Sequence, residues 1–182
     1  MKAKPVSPRR SQAAAAAPLL DDRRIGLEAR VAADDHLSLK LWLRLLACSK
    51  QIEIEIRRRL RERFGVSLPR FDYLAQLHRH PDGLRMSALS RYLMVSGGNV
   101  TGLTDELEKE GLVQRDDDPD DRRSVRVRLT AQGRRAFERM ARAHESWVVE
   151  LSGGLEAAHK QALYDGLGRL RVQLAAAQEA TR

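Results

Sequence analysis

The sequence predicts a mainly α-helical fold with a small β wing: a winged helix-turn-helix set between long N- and C-terminal helices. Three observations predict it. An apolar helical stripe runs from Leu37 to about Phe64, two helical stretches follow one another over 87–110 with almost nothing between them, and two short strands flank the aspartate-rich start of "DDDPDDRRSVRVRLT" at 116–130. The spacing of the paired helices is that of a helix-turn-helix, and a hairpin directly after it supplies the wing.

In the first stretch Leu37, Leu41, Leu45, Ile52, Ile56 and Leu60 recur at steps of four and seven, and Leu39, Leu43, Leu46 and Ile54 widen the stripe. Alone, "IEIEI" at 52–56 reads as a strand. The length of the surrounding pattern and the Arg/Glu-rich run to Arg63 overrule it, giving a helix of about 27 residues and roughly 40 Å. A helix apolar around so much of its circumference needs more than one packing partner. Gly65 stops it. Pro69 opens a short helix through "RFDYLAQLHRH", and "PDG" at 81–83 is a turn. Helical stretches from Ser87 to Met94 and from Ser96 to about Glu110 come next, the second ended by Gly111. "LVQR" and "SVRVRLT" read as strands, with Val125, Val127 and Leu129 on one face and Arg126 and Arg128 on the other, so the aspartates fall at a hairpin tip. Thr130 N-caps a helix whose Phe137, Met140, His144, Trp147 and Leu151 march at steps of three and four. Gly153 and Gly154 break that helix, and Leu163, Leu167, Leu170 and Leu174 form the seam of a final one.

The formal charge of +8 and the pI near 10.2 favour a polyanionic partner. Aromatic residues are only 4% of the chain, too few for stacking platforms that bind single strands, so duplex DNA is the expected partner. Cys48 is the only cysteine, which excludes disulfide scaffolding and fits a reducing cytoplasm. No apolar run approaches the roughly 20 residues that span a bilayer, and no membrane partner is expected. "SPRRSQAAAAAPLL" is too short in its apolar part, and too quickly followed by "DDRR", to read as an export signal. The expected organisation is a disordered basic arm over 1–24, an N-terminal dimerisation helix region over 25–64, a winged DNA-binding domain over 65–133 and C-terminal dimerisation helices over 134–182. The terminal helices carry more apolar surface than the small winged core covers. Burying it against a second copy makes a homodimer whose two reading heads meet successive turns of a duplex.

In the second helix of the pair, Val100, Leu103 and Leu107 share the core face. Gly98, Asn99, Thr101 and Gly102 then lie opposite, with Asp105, Glu106 and Lys109 further along. Phosphates repel the acidic half, so the helix is expected to enter the major groove by its N-terminus, where the backbone dipole also favours an anion. Asn99 can pair with an adenine edge and the Thr101 methyl can pack on thymine. Gly97, Gly98 and Gly102 each lower helix propensity by about 1 kcal/mol, which close approach to bases or a tight turn at 97 and 98 would explain. The candidate contacts in the helix pair are Ser87, Arg91, Ser96, Gly97, Gly98, Asn99, Thr101 and Thr104. On the hairpin they are Arg115, Asp121, Arg122, Arg123 and Arg126. There the Asp121 carboxylate is expected to hold the Arg123 guanidinium extended for a narrow minor groove.

"LSRYLMVSGGNVTGLTDELEKEGLVQRDDDPDDRRSVRVRLTAQG", 89–133, resembles the MarR family of bacterial transcription regulators, in which a wing of the form DP-x-D-x-R precedes a strand, LT and Gly. Here these are Asp118, Pro119, Asp121, Arg123, Leu129, Thr130 and Gly133. The resemblance implies an obligate homodimer, usually a repressor of a palindromic operator released by a small ligand bound between the dimer helices and the reading head. The glycine-rich second helix departs from members with large polar side chains there. "LWLRLLACSKQIEIEIRRRLRERFGVSLPRFDYLAQL" is similar to the branch that senses hydroxycinnamoyl-CoA thioesters, and a free aromatic acid is the alternative effector. Trp42, Phe71, Tyr73 and Leu74 would line the aromatic slot, with plain core the alternative for Trp42 and Phe71. Arg57, Arg58 and Arg61, or the N-terminal arm, would hold CoA phosphates, and His36 joins the candidate ligand contacts.

Other classes have weaker support. Cys48 as a redox sensor sits among leucines, where a buried thiol is usually inert. His78 and His80 stand two apart, do not share a helix face and lack further ligands for zinc, so no metal and no cofactor are expected. No glycine loop after a strand, nucleophile elbow or paired metal ligands support an enzyme. An architectural DNA binder, indifferent to sequence, is the remaining alternative.

Overall fold

The computed structural model describes residues 37–118 and 121–180. Helix α1 (Leu37–Phe64) is followed by α2 (Leu68–Arg79), the short strand β1 (Leu84–Arg85), α3 (Met86–Leu93), α4 (Gly97–Lys109), strands β2 (Val113–Asp118) and β3 (Asp121–Leu129), and helices α5 (Ala131–Leu151) and α6 (Ala157–Ala180). The chain divides inside α1, at Ser49, into two compact units. In the first, Leu37, Leu39, Leu41, Trp42 and Cys48 are exposed, so Cys48 is not the buried thiol expected from its leucine neighbours. No described helix is long and apolar enough to cross a membrane.

The second unit, Lys50–Arg182, contains the core. Ile56 and Leu60 of α1 lie in it with Phe71, Leu74 and Leu77 of α2, Leu89 of α3, and Val100 and Leu107 of α4. Val113 and Val127 from the wing and Phe137, Met140 and Trp147 from α5 join the same cluster, as do Tyr73, Leu84, Leu129 and Ala143. Each Val, Leu, Ile, Phe or Met among them contributes about 1.5–3 kcal/mol when withdrawn from water. The 3.6-residue periodicity on α4 and α5 therefore aims their apolar faces at one centre. Leu151, expected on that face, is exposed, and Ala143 is buried instead.

The sheet is antiparallel with strand order β1-β3-β2, and Val113 pairs with Leu129, Arg115 with Val127 and Asp116 with Arg126. The strands run further than the local pattern implied. Asp116 and Asp117 are ladder residues rather than tip residues, because the Asp116 carboxylate accepts from the Arg128 guanidinium across the ladder. That pair also holds the Asp116 carboxyl below its ordinary pKa. Strand β1 pads the far edge, with Leu84 opposite Val127 and Arg85 opposite Arg126.

One junction depends on missing atoms. The Thr130 hydroxyl accepts from the Gly133 amide at 2.9 Å, the expected N-cap, and donates to the Gly111 carbonyl at 2.6 Å. A Cβ at Gly133 would stand 1.8 Å from the Leu112 carbonyl oxygen, so only glycine lets α5 start against the end of the reading head. Helix α6 buries nothing within the chain, and its Leu163, Tyr164, Leu167, Val172 and Leu174 are all exposed.

Candidate nucleic-acid interface

Helices α3 and α4 are joined by a turn in which Met94 adopts left-handed backbone at φ 54°, and the Val95 amide donates to the Ser90 carbonyl. The Ser90 hydroxyl donates back to the Val95 carbonyl at 2.5 Å, so Ser90 holds the turn. Ser96 starts α4 in extended backbone without capping it by its side chain. The four amides of the first turn have no partners inside the helix, which makes this end of α4 favourable to anions.

The outward face of α4 has little side chain. An added Cβ at Gly97, Gly98 or Gly102 would meet no atom within 4 Å, so nothing internal requires these glycines. Ser87, Arg91, Gly97 and Thr101 together line an open groove between α3 and α4. Gly98 and Asn99 line a second groove on the other side of α4, beside Pro69, Asp72 and Glu106. Burial raises the pKa of the Asp72 carboxyl, with His144 opposing. Burial lowers that of His144, whose ring stacks on Phe71 at 4.9 Å.

Thr104 is a correction to the expected contacts. It is fully buried, its hydroxyl donates to the Val100 carbonyl at 2.7 Å and lies 2.6 Å from the Tyr73 hydroxyl, and it presents nothing to a duplex. Arg115 is another. Its guanidinium bridges Asp105 and Glu108 of α4, and its amide donates to Glu108, so it neutralises the acidic half of the helix instead of reaching outward. Those carboxylates raise its pKa further. Arg126 lies half-buried between Arg85 and Asp116 in the sheet. The backbone of Asp121, Arg122 and Arg123 belongs to β3, while their side chains, and with them the expected Asp121–Arg123 contact, lie outside the described residues.

His36, among the expected ligand contacts, is also outside the described residues. Trp42 and Arg61 are exposed. Arg57 pairs with Glu53, and Arg58 with Glu55 and Glu62, on their own helix, which leaves little net charge for phosphates. Tyr73 and Leu74 are wholly buried and Phe71 packs on Phe137 at 5.5 Å, so these are core side chains and not an open slot. Burial drives the Tyr73 phenol up to about 12. His78 stacks on Phe137 and faces Glu138, and the His80 ring bonds the Gln76 carbonyl. Among the described residues no group of His, Cys, Asp or Glu side chains could hold a metal. Sequence reasoning missed Arg59, which links Glu55 of α1 to Glu150 of α5, and Arg70, which pairs with Glu110 at the end of α4.

A paired helix with a bare polar tip, backed by a three-stranded wing, defines a winged helix-turn-helix DNA-binding protein. A sequence model of the MarR family matches residues 66–125. BadR of Rhodopseudomonas palustris, described as a transcriptional activatory protein, is 31% identical over 125 residues, which cover 68% of this chain and 71% of BadR. YdgJ of Bacillus subtilis, an HTH-type transcriptional regulator, is 33% identical over 107 residues, covering 59% of this chain and 65% of YdgJ. The chain thus spans about two thirds of the length of these curated relatives. A solved MarR family transcriptional regulator from Silicibacter pomeroyi is 32% identical with a TM-score of 0.63, over 79% of this chain and 99% of that one. The chain belongs to the MarR family of DNA-binding transcriptional regulators.

Proposed function

We propose that this regulator acts as a homodimer on a palindromic operator, sets the first half of α4 into the major groove and reaches the flanking minor groove with Arg122 and Arg123. The observation that carries the reading is the division of α4. Its first half is exposed, polar and stripped of side-chain bulk, whereas two carboxylates of its second half are held by Arg115. Asn99 and Thr101 sit on the exposed part, with donors and acceptors for base edges. The unpartnered apolar face of α6 supports a second copy as its cover. Repression follows where the operator overlaps a promoter. The ligand that lifts it is a small aromatic acid, free or as its CoA thioester, a reading supported by the sequence resemblance.

The test begins with duplexes selected by the protein from a random pool. The account expects a two-fold symmetric consensus, a solution mass of twice the 20.6 kDa chain, and strong weakening by Arg123→Ala with partial weakening by Asp121→Ala. A monomer, or wild-type binding by both variants, contradicts it. Titrating aromatic acids and their CoA thioesters against the bound duplex tests the ligand. Deleting the gene should raise expression from the selected site, whereas a fall would mean activation, the sense of BadR's description.

A further inference from the structure

The apolar contacts that seat α4, through Val100, Leu103 and Leu107, are non-directional, so they fix its rotation about its axis less sharply than a buried hydrogen bond does. Rotation matters at the reading face. On a helix about 10–12 Å across, a turn of about 10° moves a side-chain tip by about 1 Å, the difference between a hydrogen bond and none.

The directional ties of α4 to its neighbours lie at its exposed second half and end, where Arg115 holds Asp105 and Glu108 and Arg70 holds Glu110, and at one buried point near its middle. Thr104 is buried completely, its hydroxyl donates to the Val100 carbonyl one turn back, and the Tyr73 hydroxyl of α2 lies 2.6 Å away with its ring equally buried. Thr104 has a single hydroxyl proton. With that proton on Val100, Tyr73 is the donor, and the chain runs from the Tyr73 O–H to the Thr104 oxygen and from the Thr104 O–H to the helix backbone. The Met86 sulfur, 3.6 Å from Thr104, closes the remaining side.

We propose that Tyr73 is a positioning residue for DNA reading: its hydroxyl, through Thr104, sets the rotation of α4 about its axis and thereby the sequence discrimination of the protein. The proposal rests on the reading of α4 as the groove-reading helix. It goes further in placing part of the specificity 31 positions away from Thr104, on a side chain that touches no base. The hydroxyl contacts also order the expected effects on stability. Tyr73→Phe leaves the Thr104 proton on Val100 and should be mild. Thr104→Val leaves a buried phenol without an acceptor and should be costly, while the double variant strands no donor and should recover most of the lost Tm.

The experiment measures full-length wild type, Tyr73→Phe, Thr104→Val, the double variant and Thr104→Ser on a duplex selected by the wild type and on a scrambled duplex of equal length. The ratio of the two affinities is the readout. Tyr73→Phe and the double variant should lose at least about tenfold in that ratio while binding the scrambled duplex as wild type does, and Thr104→Ser, which keeps the hydroxyl, should retain it. A ratio unchanged in Tyr73→Phe, an equal loss on both duplexes, or a double variant that regains discrimination together with its Tm would overturn the proposal. Wild-type protein indifferent to sequence would overturn the reading of α4, and the proposal with it.

Discussion

Gly102 offers a substitution whose two expected effects have opposite signs. It sits inside α4, on the outward face, and a Cβ built there meets nothing within 4 Å. Gly102→Ala should therefore stabilise the free protein by about 1 kcal/mol through helix propensity alone. For a chain of this size that is a rise in Tm of about 2–4 °C. If DNA approaches the bare backbone closely, the same methyl must be accommodated at a tightly packed contact, at about 1–3 kcal/mol, or roughly 5- to 150-fold in operator affinity. Circular dichroism melts of the free protein and fluorescence anisotropy on the selected duplex read the two effects separately. A variant that melts higher and binds as tightly as wild type would refute the close approach and leave the glycines without a function. One that melts lower would refute the packing argument instead.

Arg115→Ala should weaken operator binding by unmasking Asp105 and Glu108, and adding Asp105→Asn with Glu108→Gln should restore most of it in anisotropy titrations; no rescue would mean that Arg115 itself touches the phosphates. Gly133→Ala should cost several kcal/mol, because its Cβ would lie 1.8 Å from the Leu112 oxygen and the start of α5 must move; an unchanged denaturation midpoint would contradict that. Tyr73 sets an alkaline limit. Its folded pKa, about 12, lies above the ordinary phenol value of about 10, so its stabilising effect is complete below pH 10 and is lost as pH rises toward 12, when the unfolded phenol ionises first. Wild type should lose stability relative to Tyr73→Phe across that window in urea titrations, and parallel curves would contradict the burial of the phenol.

Periodicity carried much of the fold because it is a local property. The stripes of α1 and α5, the paired helices, the Thr130 cap and the Gly111 stop all follow from residues within a few positions of one another. Strand β1, two residues long, has no period to find, and the extension of β2 depends on Asp116 meeting Arg128 from the other strand. The candidate site was legible in outline, since Ser87, Arg91, Gly97 and Thr101 do converge on one groove. Thr104 and Arg115 were misassigned because each looks like a DNA contact in the sequence. Only tertiary packing turns Thr104 toward Tyr73 and folds Arg115 onto α4. The pairing of Arg57 and Arg58 was different, for Glu53, Glu55 and Glu62 stand three or four positions away and the signal was already there.

The claim on which the rest depends is that the N-terminal half of α4 occupies the major groove at two symmetric places. Dimethyl sulfate interference on the selected duplex tests it directly, because methylation at guanine N7 blocks the major groove and at adenine N3 the minor groove. Two symmetric clusters of N7 interference about 10 base pairs apart, or a multiple of that spacing, with N3 interference at their flanks, are the predicted result. N3 interference alone, or a single unsymmetric cluster, would contradict it.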